Sequence, residues 1–201
     1  MTDAARLQPV SGVVFDLDGT LTAPTIDFDA IRSEIGIEGD APILETLAGL
    51  PADERRRAFR ILEKHEERAA ADSRLNPGAE ELLDFLDREG LPRGLVTRNT
   101  RRSVEAFVAR HRIDLGVVVT REDAPPKPSP APLLHALERL NLSPRQAIYV
   151  GDHEIDRLTG KAAGVITYIV RTHPEIKDCG PPEQRIDRLS DLIGLIRTSR
   201  E

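Results

Sequence analysis

Short apolar runs recur along the chain at Val13-Val14-Phe15, Gly94-Leu95-Val96, Val117-Val118-Val119, Ala147-Ile148-Tyr149-Val150 and Val165 to Val170. Each is brief, rich in β-branched residues and bounded by Gly, Asp, Thr or Arg, as strands buried on both faces of a parallel sheet are. Between them the apolar positions fall at helical spacing. Leu82, Leu83 and Leu86 share one face between Asn76-Pro77 and Gly90, so Asn76 is expected to cap a helix with Pro77 in its first turn. Thr100 is expected to cap a second helix running through Val104, Phe107 and Val108. Ser129-Pro130 opens a third, carrying Leu133, Leu134, Leu137 and Leu140, and a last one starts at Ser190 with Leu192, Ile193 and Ile196. Strands alternating with helices predict βαβ units: an α/β fold with a doubly wound parallel sheet.

One stretch breaks the alternation. Residues 24–76 hold no strand pattern and three helical pieces, Phe28 to Ile35, Ile43 to Leu50, and a charged run from Asp53 to about Ala71. The expected organisation is an α/β core of residues 1–23 and 77–201 interrupted by a small all-helical insert over 24–76. Insert and core are joined at two points, a connection that permits hinge motion.

Composition mostly excludes. A chain of 201 residues accommodates one domain with a modest insert. The formal charge is −6, with five Phe, two Tyr and no Trp, which argues against a nucleic-acid partner because both a basic face and a stacking platform are missing. The lone Cys179 excludes a disulfide framework and a cysteine-rich zinc site. No run of 18 apolar residues occurs, and the opening residues lack an apolar signal core, so the expectation is a soluble, cytoplasmic protein without a membrane partner. Nothing in the pattern specifies an oligomeric state.

The chemistry gathers at the predicted strand ends, where an open parallel sheet binds its ligands. The first strand runs into Asp16-Leu17-Asp18-Gly19-Thr20. Carboxylates at i and i+2 leave a strand end on the same side, where they can share a divalent cation, or one can attack while the other handles a proton. An EF-hand is excluded, since that loop needs a third oxygen ligand before its glycine and a closing glutamate. The second strand ends in Thr97-Arg98-Asn99-Thr100, a hydroxyl and backbone N–H groups at a helix start, suited to phosphate. Lys127 sits in Pro125-Pro126-Lys127-Pro128, where proline stiffness fixes an ammonium at low entropic cost. The fourth strand ends in Gly151-Asp152-His153-Glu154-Ile155-Asp156. There Asp152 is a hard-cation ligand, and Asp156 projects one helical turn on. Each motif taken singly also has a plain reading as a turn, a helix cap, a solvated lysine or an acidic helix start.

In this order, the four motifs resemble the haloacid dehalogenase-like hydrolase superfamily, specifically its phosphatases of the phosphoglycolate-phosphatase-like group, with a small helical cap after the first strand. The resemblance covers roughly residues 11 to 23 and 77 to 196, and the insert falls where that family places its cap, though it is short for the group's four-helix cap. The resemblance implies hydrolysis of a small phosphorylated metabolite, a phosphoglycolate-like phosphomonoester among the candidates, through an aspartyl-phosphate. By the family pattern Asp16 is the nucleophile and Asp18 the general acid and then base. Magnesium would be held by Asp16, the Asp18 backbone carbonyl and Asp152, with Asp156 in support. Thr97 and the Arg98 amide would hold the transferring phosphoryl group, and Lys127 would balance the charge of nucleophile and phosphate. His153 departs from the small residue usual at its position, and crowding of the site is the expectation there.

A phosphomutase with the same core motifs is the alternative reading. A regulatory module retaining the fold without catalysis is a second, although such a module has no physical need for Asp18. A dehalogenase is disfavoured for a similar reason, since displacing halide requires no acid. Arg55, Arg56, Arg57 and Arg60 alternate with glutamates and read as a solvated helix face. Arg32 is the better candidate for a substrate carboxylate, against the plainer reading of a surface charge. His65, His111, His135 and His173 show no ligand-like spacing, and Cys179 has no activating partner in sequence.

Overall fold

The computed structural model describes residues 9–172, 181 and 184–201. His173 and Cys179 lie outside them. The described strands are β1 (Gly12–Phe15), β2 (Arg93–Val96), β3 (Val117–Val119), β4 (Ala147–Gly151), β5 (Ile166–Val170) and β6 (Arg185–Ile186). The helices are α1 (Phe28–Ile35), α2 (Ile43–Ala48), α3 (Ala52–Asp72), α4 (Ala79–Arg88), α5 (Arg101–His111), α6 (Ala131–Arg139), α7 (Glu154–Ala163) and α8 (Asp191–Arg200). They fall into two compact units, one of residues 1–24, 74–98 and 113–201, the other of residues 25–73 and 99–112.

The first unit is a parallel sheet in the order β3-β2-β1-β4-β5-β6 with its helices. Register pairs Val14 of β1 with Gly94 on one side and Tyr149 on the other, so β1 is central. Its four residues are all buried, and β4 is buried throughout, because a central parallel strand has no solvent face. Val14, Val96, Val119, Leu133, Leu137 and Tyr149 belong to one core cluster, closing α6 onto the sheet. The chain builds outward from β1 through β2 to β3, then returns to start β4 on the opposite side. The strand order therefore reverses between β1 and β4, and beyond the carboxyl ends of those two strands an open α/β sheet leaves a crevice.

The second unit is all-helical. Ile31, Ile43, Leu47, Ala58 and Leu62 form its centre, with Ile26, Ile35, Leu44 and Phe59 packed around them. The Asp27 carboxylate caps α1 by accepting from Ala30 N–H at 2.8 Å, and Thr100 caps α5 by accepting from Ser103 N–H at 3.2 Å. Helix α5 groups with this unit, whereas the sequence pattern assigned the whole of 77–201 to the core.

Two local expectations change. Strand β6 was not anticipated, since two residues opening on an arginine carry no periodicity. Asn76 is no helix cap: α4 begins at Ala79 behind Gly78, a left-handed residue at φ 81°, and no side chain caps it.

Candidate active site

Both strand ends at the reversal carry an aspartate. Asp16 follows β1 and Asp152 follows β4, and a carboxylate oxygen from each of Asp16, Asp152 and Asp156 lies within 4.8 Å of the other two. Lys127 is buried among them. Its ammonium donates to Asp16 Oδ1 at 2.5 Å, to Asp156 Oδ1 at 2.6 Å and to the Tyr149 hydroxyl at 3.2 Å, using all three of its N–H bonds. The Tyr149 hydroxyl in turn donates to Asp156 Oδ1 at 2.7 Å. The remaining oxygen of Asp156, Oδ2, accepts the His153 backbone N–H at 3.2 Å. Asp156 is thereby committed to protein partners, and coordination capacity is left mainly with Asp16 and Asp152. Thr20 stands between those two, its hydroxyl 3.2 Å from Asp16 Oδ2 and 3.5 Å from Asp152 Oδ1. At Gly19 the backbone turns at φ 79°, and a Cβ there would fall 1.9 Å from Asp152 Oδ2, so only glycine lets the loop pass this close.

Three carboxylates and one ammonium leave two negative charges over, and the titration behaviour reflects it. Burial pushes the Asp16 carboxyl up to about 7; Lys127 pulls the other way, and Asp156 adds to the rise. Asp152 is raised to about 8, by burial first and then by Asp16 and Asp156. Burial works to lower the Lys127 ammonium, but Asp156 and Asp16 outweigh it and hold the charge on. Burial, with Asp156 beside it, drives the Tyr149 phenol well above its ordinary value, so the hydroxyl stays a donor. A cluster with two surplus negative charges and oxygen donors alone fits a hard divalent cation such as magnesium.

The other predicted residues take these places. Asp18 is partly exposed, two residues beyond Asp16, and forms an isolated bridge with Thr22. Thr97 is buried immediately after β2, and the Arg98 carbonyl accepts from Arg121 Nη1 at 2.9 Å. His153 does not crowd the cluster. It is exposed, and its Nδ1 accepts from Ile155 N–H at 3.3 Å, capping α7 in a reciprocal pair with Asp156. Arg32 is held at Asp29 Oδ1, 2.5 Å away, and Arg56 pairs with Asp53, so both have carboxylate partners on their own helices. Sequence reading missed Tyr149, hidden in an apolar strand, and Thr20, whose role shows only once the loop is folded.

Comparison with known proteins identifies the family. Residues 22–170 match the family model for haloacid dehalogenase-like hydrolases. The chain belongs to that family. A haloacid dehalogenase-like hydrolase domain-containing protein of Arabidopsis thaliana is 33% identical, over 94% of this chain and 84% of its own. A phosphoglycolate phosphatase of Nitrosospira multiformis is 31% identical, over 81% and 83%. Among solved structures, a HAD-superfamily hydrolase of subfamily IA from Geobacter sulfurreducens superposes with a TM-score of 0.66 at 25% identity, covering 92% of this chain and 99% of that one. The protein is thus a phosphatase-like hydrolase of this family. Among the described residues no helix is long and apolar enough to cross a membrane.

Proposed function

We propose that this hydrolase is a magnesium-dependent phosphatase acting on a small phosphomonoester through a phosphoryl-aspartate at Asp16. The observation that carries the reading is the close trio of Asp16, Asp152 and Asp156 at the strand reversal, two of them buried and bonded to the single ammonium of Lys127. Asp16, Asp152 and the Asp18 carbonyl would hold magnesium, with Asp156 supporting the set through Lys127, and the ion would supply charge neutralisation for the transferring group. An Asp16 oxygen attacks phosphorus and the bond to the leaving oxygen breaks, that oxygen taking its proton from the Asp18 carboxyl. Water then attacks the phosphoryl group, giving its proton to Asp18, and the bond from phosphorus to Asp16 breaks to release inorganic phosphate. Thr97 and the Arg98 N–H hold the phosphoryl oxygens, and Lys127 balances the charge of Asp16 and the phosphoryl group.

Phosphate release over a panel of phosphorylated metabolites beginning with phosphoglycolate, with and without magnesium, tests the proposal. Turnover is expected on at least one small ester, only with the metal present. In Asp18→Asn the second step should stall, so acid quench should trap phosphate on Asp16. Release of an isomerised sugar phosphate in place of inorganic phosphate would make the protein a mutase.

A further inference from the structure

The loop Leu17–Thr22 carries Asp18 out of β1, and three of its carbonyls converge on one atom. Asn76 Nδ2 lies 2.8 Å from Gly19 O, 2.7 Å from Thr20 O and 2.8 Å from Thr22 O. A primary amide has two N–H bonds, so two protons are shared among three acceptors. The Asn76 backbone N–H adds a bond to Leu21 O at 2.9 Å. Asn76, Thr20 and Thr22 are all buried, so water has little access to replace these bonds. Within itself the loop closes on Leu17, whose carbonyl accepts from Thr20 N–H at 3.3 Å, Thr22 N–H at 3.0 Å and the Thr22 hydroxyl at 3.2 Å. The Thr172 hydroxyl also reaches Gly19 O, at 2.9 Å. A helix cap bonds the first turn of its own helix. This side chain instead turns away from α4 to a loop more than fifty residues earlier in the chain.

We propose that Asn76 is a positioning residue for Asp18: by gathering the carbonyls of Gly19, Thr20 and Thr22, it sets where the Asp18 carboxyl stands relative to the leaving oxygen. The inference rests on the acid–base role of Asp18 proposed above. Asn76 touches no substrate; it acts through the backbone on which Asp18 is mounted. Its removal therefore costs most where the proton is needed. An alkyl phosphate leaves as a poor alkoxide and depends on the acid, whereas p-nitrophenyl phosphate leaves without one.

The experiment compares first-turnover rates of Asn76→Ala on an alkyl phosphate and on p-nitrophenyl phosphate, after thermal melting has verified folding. The expected loss is roughly ten- to a hundredfold for the alkyl ester and less than about threefold for the nitrophenyl ester. In an Asp18→Asn background the same substitution should add less than about twofold for either ester, because the group it positions is already gone. Should Asn76→Ala fail to fold, Asn76→Ser, which keeps one donor, carries the same comparison. Equal losses for both esters, or an undiminished effect in the Asp18→Asn background, would overturn the proposal and leave Asn76 a structural clamp. If the unaltered protein hydrolyses no ester of the metabolite panel with magnesium present, the phosphatase reading itself fails and this inference falls with it.

Discussion

The α/β unit and the helical unit both carry many charges, and they use them in opposite ways. In the helical unit, ion pairs such as Arg32 with Asp29, Arg56 with Asp53 and Arg102 with Glu67 are local or exposed, and His65 bonds Glu34 at 2.8 Å. Opposite charges meet pairwise at low cost, since water screens whatever is left over. At the ends of β1 and β4 the charges are few, buried and unbalanced, with Lys127 shared between Asp16 and Asp156 while Asp152 stands beside them. An arginine-rich run is the more conspicuous feature of the sequence and a lone lysine between prolines the less conspicuous one. Three carboxylates gathered around one buried ammonium, rather than charge density, distinguish the chemical region.

Substitutions can break or sharpen that contrast. The largest effect is expected from Asp16→Asn, which should reduce turnover to roughly a thousandth or less while the thermal melt without metal is not lowered. Activity within tenfold of the unaltered protein, measured by phosphate release on a deamidation-free sample, would move the nucleophile elsewhere. Next comes Lys127→Met, which strands two buried carboxylates and should destabilise the fold by about 3–5 kcal/mol in urea titration. A loss no larger than that of an exposed pair would erase the difference between the two units.

A smaller, graded effect concerns pH. The Asp16 and Asp152 carboxyls titrate at about 7 and about 8 in the folded protein against 3.8 in the unfolded chain. Between those values the folded state binds more protons than the unfolded state, so stability without metal should fall as pH rises from about 4 to about 8. Saturating magnesium should flatten that slope and raise the melting temperature most at the alkaline end. A metal-free melt that is independent of pH over this window would contradict the surplus negative charge. The smallest effect belongs to the helical unit: Arg32→Ala should leave kcat/KM within about twofold, as for other exposed ion pairs. A tenfold rise in KM would instead restore Arg32 as a substrate contact.

The strands were legible because burial on both faces leaves a continuous apolar signature, and Asp16 and Asp152 were legible because they sit where such runs stop. Other features depend on distance in space and left no local trace. Tyr149 reads as one more apolar residue of a buried strand until Lys127 and Asp156 are folded against its hydroxyl. Asn76 before Pro77 has the local form of a cap, yet the carbonyls of the Asp18 loop compete for its amide and win. His153 looked bulky in sequence, but its place at the start of α7 points its ring nitrogen at the helix's own backbone. Helix α5 follows β2 as a crossover helix should, and only its packing against α3 assigns it to the helical unit.

The reversal of strand order between β1 and β4 also bears on how the molecule assembles. Thr20 and Asp152, neighbours in the finished cluster, are separated by 132 positions along the chain. Closing so long a span is a late and slow event, since its entropy must be spent before any contact rewards it. The acidic cluster is therefore complete only when the two halves of the sheet have met. An ion bound there cannot guide the search that precedes their meeting. Such an ion would lengthen the life of the folded state, so magnesium should slow unfolding while leaving the refolding rate almost unmoved.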